Sequence, residues 1–211
     1  MKLTRNPYPY YCLPALFVSS CGMFPSLPED LPPELEAVLS DKATFDLEPS
    51  DPLGDVEVGT VVDNLQGLDG CWGFYERDDL RPNPPLSEFI TVHVFDNANG
   101  TYTRWQLFTT SGLFGMLNGF RGTFVIVGDN RVRLTLDEGY RTQDDDGNPL
   151  DEPSFVERQT PLNQEWELTL SGEFLKIHWR PDADDPQPGD IRTYASFDCP
   201  ANPSELVSDP E

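Results

Sequence analysis

Residues 61–199 carry a period-two pattern of apolar and polar residues that favours β-strands over helices. In residues 131–136 and 165–170, apolar side chains alternate with charged or polar ones, as half-buried antiparallel strands require. Segments rich in β-branched and aromatic residues lie at 70–77, 89–95, 101–108, 123–127, 131–136, 154–159, 165–170, 174–179 and 191–197. No helix-length periodic run separates them, which argues against alternating α/β units.

The links between these segments have the chemistry of hairpin turns. Asn99-Gly100 suits a tight type I′ turn, and residues 128–130 and 171–172 are also turn formers. Strands joined by short links pair with their sequence neighbours. The sequence therefore predicts an all-β domain, namely an antiparallel up-and-down barrel of about eight to ten strands.

The up-and-down order predicts which links lie together, because links after odd-numbered and even-numbered strands lie at opposite ends. The long links 78–87, 111–119 and 142–153 then share one rim. The link 181–190 falls at the other end, with the tight turns and a short link at Pro161 to Asn163. Binding residues concentrate on loops held by rigid strands, so we take the long-loop rim as the candidate mouth.

One link at this rim, residues 112–120, combines large apolar side chains with glycines, whereas a solvated loop should be polar. It could form an apolar lid or docking patch over a pocket lined by tryptophans. The candidate ligand-binding residues are then Trp105, Phe114, Met116, Leu117 and Trp166. In the alternative interpretation, this loop folds inward as a plug and the tryptophans fill the barrel.

The N-terminus has the order of an export signal. Lys2 and Arg5 precede an apolar stretch at 10–18, which is too short to span a bilayer. The tetrapeptide Val-Ser-Ser-Cys that ends at Cys21 resembles the cleavage box of bacterial lipoproteins. Ordinary secretion with cleavage near the same point, or an apolar start without a targeting role, are the alternatives.

The lipoprotein resemblance implies that residues 1–20 are a signal peptide and that Cys21 carries a diacylglycerol thioether and becomes the acylated N-terminus. Several acyl chains anchor a protein firmly to a membrane, whereas one is marginal. In this family an Asp after the cysteine retains the protein in the inner membrane, and this chain has Gly22. The expected location is therefore the bacterial cell envelope, with a lipid anchor in the outer membrane.

Residues 21–60 are predicted to be a lipidated, disordered, acidic and proline-rich tether. Such a segment buries too little apolar surface to offset its ordering entropy, and its charges repel one another. A short helix over residues 33–39 is possible, with Leu35, Val38 and Leu39 on one face. Residues 200–211 are polar and are expected to form a flexible tail.

The cysteines favour an oxidising compartment. If Cys12 leaves with the signal and Cys21 takes the lipid, Cys71 and Cys199 remain as a pair at the two ends of the barrel domain. A disulfide that closes a loop of more than about 100 residues contributes roughly 4 to 5 kcal/mol. The alternative is two buried free thiols. A zinc site is not expected, because the cysteines lack close spacing.

The start of the first strand resembles a known family. Gly70-Cys71-Trp72 matches the Gly-x-Trp motif that opens lipocalins, and Arg192 occupies the place of the arginine on their last strand. The second lipocalin motif, Thr-Asp-Tyr, has no counterpart in this chain. The chain therefore resembles lipocalin-like bacterial lipoproteins more than true lipocalins. The resemblance implies a tryptophan that packs across a closed end and an open end that admits a small hydrophobic ligand.

The charge limits the partners of this protein. The chain has 14 basic and 37 acidic residues, a formal net charge of −23. Nucleic acid is not expected to bind, because phosphate contacts need basic stripes, and direct adsorption to anionic lipid is disfavoured. The stretch 144–148 resembles part of a calcium loop, but Thr142 and Pro153 occupy the first and twelfth EF-hand positions. We interpret it as a solvated turn and predict no metal.

No catalytic or cofactor motif is present in the sequence. His93 and His178 alternate in phase with polar neighbours, so both are predicted to lie at the rim or surface. We therefore expect no enzyme and no cofactor. The first hypothesis is a carrier of a small hydrophobic ligand, and the second is a structural or protein-interaction module of the envelope with a filled barrel core.

Overall fold

The fold is an eight-stranded antiparallel β-barrel, as the sequence predicts. A computed structural model describes residues 30–47, 51–57, 65–78, 87–110, 114–144, 149–180 and 191–200. The strands are β1 (Gly70–Asp78), β2 (Ser87–Asp96), β3 (Thr101–Thr110), β4 (Phe114–Ile126), β5 (Arg131–Gln143), β6 (Pro149–Ser171), β7 (Phe174–Arg180) and β8 (Ile191–Phe197). Each strand pairs with the next, and β8 pairs with β1 to close the barrel.

Strand β6 corrects the predicted strand order. The segments 154–159 and 165–170 were predicted as two strands with a link at Pro161, but they form one strand of 23 residues. The register with β5 shifts between Leu136 and Glu138, and the extra residues of β6 at this irregularity accommodate the proline without a chain reversal. As a result, β7 ends and β8 begins at the long-loop rim, so the link 181–190 does not belong to the opposite end.

Strand β4 corrects the prediction of an apolar loop. Residues 114–120 are not a lid, because they pair with β3 from Thr110↔Phe114 onward. Gly119 serves close packing within the sheet. A Cβ atom added at Gly119 would lie 2.5 Å from the indole ring of Trp105, so this position has no room for a larger residue.

The barrel interior holds an aromatic core at the end where β1 begins. A 3₁₀ helix (Leu65–Leu68) lies at this end, and its two leucines are buried. The indole Nε1 of Trp72 donates a hydrogen bond to the carbonyl oxygen of Leu68 at 2.9 Å. The inward side chains of this core include Trp72, Phe74, Phe95, Tyr102, Phe124 and Trp166. Trp72 thus occupies the closed end, the position that the lipocalin resemblance implies.

A second apolar cluster covers the outside of the barrel. Two short helices, α1 (Pro33–Ser40) and α2 (Lys42–Phe45), pack on the outer face of β1, β2 and β8. A Cβ atom at Gly73 would lie 2.8 Å from Phe45 and from Val38, so this glycine allows the close approach of the helices. The helix predicted at 33–39 is confirmed. The described residues 30–47 of the predicted tether are packed rather than extended, because their apolar side chains meet an apolar outer wall.

The predicted disulfide is present. Cys71 and Cys199 are bonded, with their Cα atoms 5.3 Å apart. The bond lies beside the closing seam of the barrel, where the register of β1 with β8 runs only from Cys71↔Phe197 to Gly73↔Ala195. The disulfide therefore pins the shortest strand pairing of the barrel. None of the helices in the described ranges is long and apolar enough to cross a membrane.

Candidate functional site

A cavity of about 90 Å³ lies inside the barrel, between the aromatic core and the long-loop rim. Its polar lining residues are Thr91, His93, Arg104, Gln106 and Arg192. Its aromatic and aliphatic lining residues are Phe89, Trp166, Ile177, Trp179 and Tyr194. The exposed fraction of Trp179 is 42 %, which places this side chain at the mouth. The cavity therefore joins a buried polar floor to an apolar opening.

Strand alternation explains why polar side chains line the cavity. Successive side chains of a strand point to opposite faces, so Thr91 and His93 of β2 share the inward face with Phe95. Arg104 and Gln106 of β3 likewise share the face of the inward Tyr102. The outward neighbours of these residues are apolar and belong to the outer cluster. The more polar face of both strands therefore points into the barrel.

His93 is the buried centre of this arrangement and is only 2 % exposed. Its Nδ1 lies 2.6 Å from the hydroxyl oxygen of Tyr102, and its ring makes edge contacts with Tyr194 and Trp166 at centroid distances of 4.6 and 5.4 Å. Burial lowers the pKa of His93 well below its usual value, and the positive charges of Arg104 and Arg192 lower it further. The imidazole is therefore neutral at pH 7.

Tyr102 is held in its neutral form by the same environment. Burial raises the pKa of its hydroxyl group far above the ordinary value. A neutral phenol can donate its proton to the imidazole nitrogen of His93, which fixes the orientation of both rings. The pair thus forms a rigid floor beneath the cavity.

Arg192 also lines the cavity, from the start of β8. Its guanidinium group stacks over the rings of Phe74 and Phe89 at 4.9 and 4.8 Å. Its Nη2 also lies 3.8 Å from Oε2 of Glu76, so a carboxylate partly balances its charge. The resemblance placed this arginine on the last strand, and its guanidinium group contacts one ring of the aromatic core and one ring near the mouth.

Arg104 has a different environment. The residue is 7 % exposed, and its guanidinium group lies 4.7 Å from the ring centroid of Phe120. Its Nε atom has no hydrogen-bond partner in the part of the chain that the structure describes. Across the same residues, no carboxylate forms an ion pair with it. Arg104 is thus a buried cation held mainly by an aromatic ring.

The structure separates the residues predicted to bind a ligand. Trp166 lines the cavity. Trp105 does not, because it lies on the outer face, where its ring packs 4.9 Å from Tyr140 and 5.1 Å from Phe155. Leu117 packs against the same outer cluster, and Met116 is 44 % exposed. The side chain of Phe114 lies outside the described part of the structure, as does Cys21.

Two cavity residues were misjudged or missed. His93 was predicted at the rim or surface, which is wrong, because the residue is buried inside the barrel. Arg104 was not considered at all. Arg104 lies two residues after Tyr102 on β3, so both side chains point to the same face of the strand. The apolar Trp105 nevertheless favoured the other face as the inner one. His178 is partly exposed, as predicted, with its Nδ1 3.5 Å from Oε2 of Glu167.

The acidic stretches give no described metal site. Within the described ranges, no group of His, Cys, Asp or Glu side chains is arranged to hold a metal ion. Residues 145–148 and 181–190 lie outside those ranges, so the interpretation of 144–148 as a solvated turn stays a prediction. The link 181–190 was predicted at the end opposite the link 142–153, which is wrong, because the strands that flank both links end at one rim.

Comparison with known proteins does not identify a family for this chain. No protein-family model matches the chain. No curated protein matches its sequence at a significant level.

Proposed function

We propose that this protein is a lipid-anchored, extracytoplasmic barrel that binds a small molecule at the open end of its lumen. The observation that carries the proposal is the cavity of about 90 Å³ beneath the mouth. A barrel with only a structural role would be expected to fill this space, because protein interiors are close-packed. Here the aromatic core stops short of the rim, and polar side chains line the remaining space.

The size of the cavity limits what it can enclose. An apolar cavity of about 150 Å³ accommodates benzene, so the enclosed space here, of about 90 Å³, suits a smaller group of roughly four heavy atoms. A larger ligand must extend through the mouth, where Phe89 and Trp179 provide aromatic surface. The ligand therefore inserts one end and leaves the other near the rim.

The proposed location, outside the cytoplasm and at a membrane, rests on the N-terminal sequence and is supported by the disulfide. The lipoprotein-like tetrapeptide ends at Cys21, and the first helix begins at Pro33. Disulfides such as Cys71–Cys199 persist in oxidising compartments and are rare in the cytosol. An exported chain lipidated at Cys21 would hold the barrel close to a membrane surface.

A second candidate is a structural or interaction module of the envelope. It is favoured by the aromatic core, which fills the closed half of the barrel with side chains such as Phe95, Tyr102 and Phe124. Their rings contact one another at centroid distances of 4.9 to 5.2 Å. In this alternative the remaining cavity holds only water.

The proposed location and lipidation are tested by the intact mass of the protein after its full chain is expressed in a bacterial host that processes lipoproteins and is extracted from the membranes. We expect a chain that begins at Cys21 and carries the mass of a diacylglycerol group. The Cys21→Ser variant should lose this mass and leave the membrane fraction. An unprocessed, soluble wild-type chain with reduced Cys71 and Cys199 would overturn the proposed location.

The binding role is tested by native mass spectrometry of the same material, which detects molecules that copurify with the barrel. The Gln106→Phe variant places an aromatic ring at the cavity lining and should lose the bound molecule. Thr101→Phe, at an exposed position on the same strand, is the matched control and should retain it. Equal retention by both variants would favour the structural module.

A further inference from the structure

The cavity contains a buried positive charge that the described residues do not neutralise. Arg104 stands directly opposite His93 in the register of β2 with β3, and both residues are buried. Burying an unpaired charge is strongly unfavourable, so proteins rarely retain one without a partner. An aromatic ring such as Phe120 offsets part of this cost, but it does not cancel the charge. The site is therefore electrostatically suited to an anion.

Two further nitrogen atoms at the cavity lack partners. Nε1 of Trp166 and Nε2 of His93 are buried, and neither has a hydrogen-bond partner within the described ranges. The indole nitrogen is always a donor. For His93, the hydroxyl of Tyr102 is assigned as donor to Nδ1, which puts the proton of the neutral imidazole on Nε2. Arg104, His93 and Trp166 thus provide three unpaired N–H donors.

A set made only of donors selects a ligand group made only of acceptors. An ionised carboxylate has two acceptor oxygens and no donor, and its charge strengthens each hydrogen bond. A neutral apolar ligand would leave all three donors buried and unsatisfied, which is unfavourable for each group. The apolar mouth at Phe89 and Trp179 is suited to a hydrocarbon tail.

We propose that the barrel binds a small monocarboxylate with an apolar tail, whose carboxylate accepts hydrogen bonds from Arg104, His93 and Trp166. This inference rests on the proposed ligand-binding function and specifies the chemical class of its ligand. The carboxylate lies on the polar floor, and the tail leaves through the mouth. Arg192 contributes less to recognition, since Glu76 already balances part of its charge.

Isothermal titration calorimetry of the full chain tests this proposal with three probes, namely octanoate, octanamide and inorganic phosphate. We expect octanoate to bind at least tenfold more tightly than octanamide, because only the carboxylate satisfies all three donors. Phosphate should bind more weakly than octanoate, because it has no tail for the mouth. Phosphate binding as tight as octanoate would overturn the proposed apolar tail.

The two proposals fail in different ways in this experiment. Equal binding of octanoate and octanamide would overturn the carboxylate inference and leave the ligand-binding function intact. If neither molecule binds at millimolar concentration, the carboxylate inference is overturned, and the native mass spectrometry described above decides the ligand-binding function.

The Arg104→Met variant separates a binding role from a structural one. We expect it to lose the preference for octanoate over octanamide while it retains octanamide binding. Its unfolding temperature without ligand should rise, because the variant removes a buried and unpaired charge. Arg133→Met, on the exposed face of β5, is the matched control and should keep the octanoate affinity.

Trp166→Phe provides a second variant that preserves most of the packing and removes only the indole donor. It should weaken octanoate binding severalfold without affecting octanamide. A lower unfolding temperature of Arg104→Met, combined with unchanged octanoate affinity, would assign Arg104 to the framework of the barrel and overturn the proposal.

Discussion

His93 and Arg104 face each other across β2 and β3, and both side chains are buried inside the barrel. A cation beside an imidazole disfavours protonation of that imidazole, and burial disfavours it further. The pair therefore keeps one neutral ring and one positive charge at the floor of the same cavity. Stability and ligand binding are both expected to depend on it.

His93 should make the protein less stable in mild acid. Its folded-state pKa lies well below the usual value, so between these two values the unfolded chain binds a proton that the folded chain does not. The free energy of unfolding then falls as the pH drops below about 6.5, by up to about 1.4 kcal/mol per pH unit. Above pH 7 both states are neutral at this residue, and the effect vanishes.

Urea unfolding of wild type and His93→Gln at several values between pH 7.5 and pH 5 measures this difference. The variant should lose less stability on acidification, because it lacks the buried imidazole. Identical pH profiles for His93→Gln and wild type would show that His93 is accessible to protons in the folded state.

The outer helices should contribute to the stability of the barrel. Leu35 of α1 is fully buried, so the Leu35→Ala variant is expected to lower the free energy of unfolding by about 2–5 kcal/mol. Glu36→Ala changes an exposed residue of the same helix and should alter it by less than about 0.5 kcal/mol. Chemical denaturation of the mature chain compares the two. A negligible effect of both variants would mean that residues 30–47 behave as a tether.

The disulfide should stabilise the barrel through the closing seam. Because the bond spans 128 residues, replacing Cys71 and Cys199 by Ala is expected to lower the free energy of unfolding by about 4 to 5 kcal/mol. Reductant should bring the wild type to the same stability and leave the double variant unchanged. A reductant effect on the double variant, or none on the wild type, would contradict this role.

Lys176 should hold residues 51–57 against the outer wall. Its ammonium group donates hydrogen bonds to the carbonyl oxygens of Leu53 at 2.7 Å and Val56 at 2.9 Å. Lys176→Met keeps most of the apolar stem and removes both bonds, so the amide protons of Gly54 and Val56 should exchange faster in hydrogen-exchange experiments. Lys42→Met, which breaks a contact with Glu88, should leave these two amides unchanged.

The sequence predicted strands best where one face of the strand is exposed to solvent. Residues 131–136 and 165–170 alternate clearly between apolar and polar side chains, and in the structure they lie within β5 and β6. The proline at 161 was mistaken for a turn, because a bulge within a long strand depends on the partner strand and not on local chemistry. The same holds for residues 114–120, where Gly119 serves packing across the sheet and not a loop.

The inner face of β3 could not be inferred from local pattern. Both faces of this strand are buried, since Trp105 packs under Tyr140 and Phe155 while Arg104 faces the lumen. Alternation identifies two faces, but which face points inward depends on what covers the outer one. That cover comes from segments far away in sequence, so the more apolar face was wrongly taken as the lining.

The most direct test of binding in the lumen is an NMR titration of the full chain with octanoate, read at the indole N–H resonances of its tryptophans. We predict that the Trp166 resonance shifts with saturation, because its N–H gains a hydrogen bond. Trp105 on the outer face and Trp72, which is already bonded to Leu68, should stay unchanged. A shift of Trp105 with Trp166 unaffected, or no shift of any indole at millimolar octanoate, would contradict binding in the lumen.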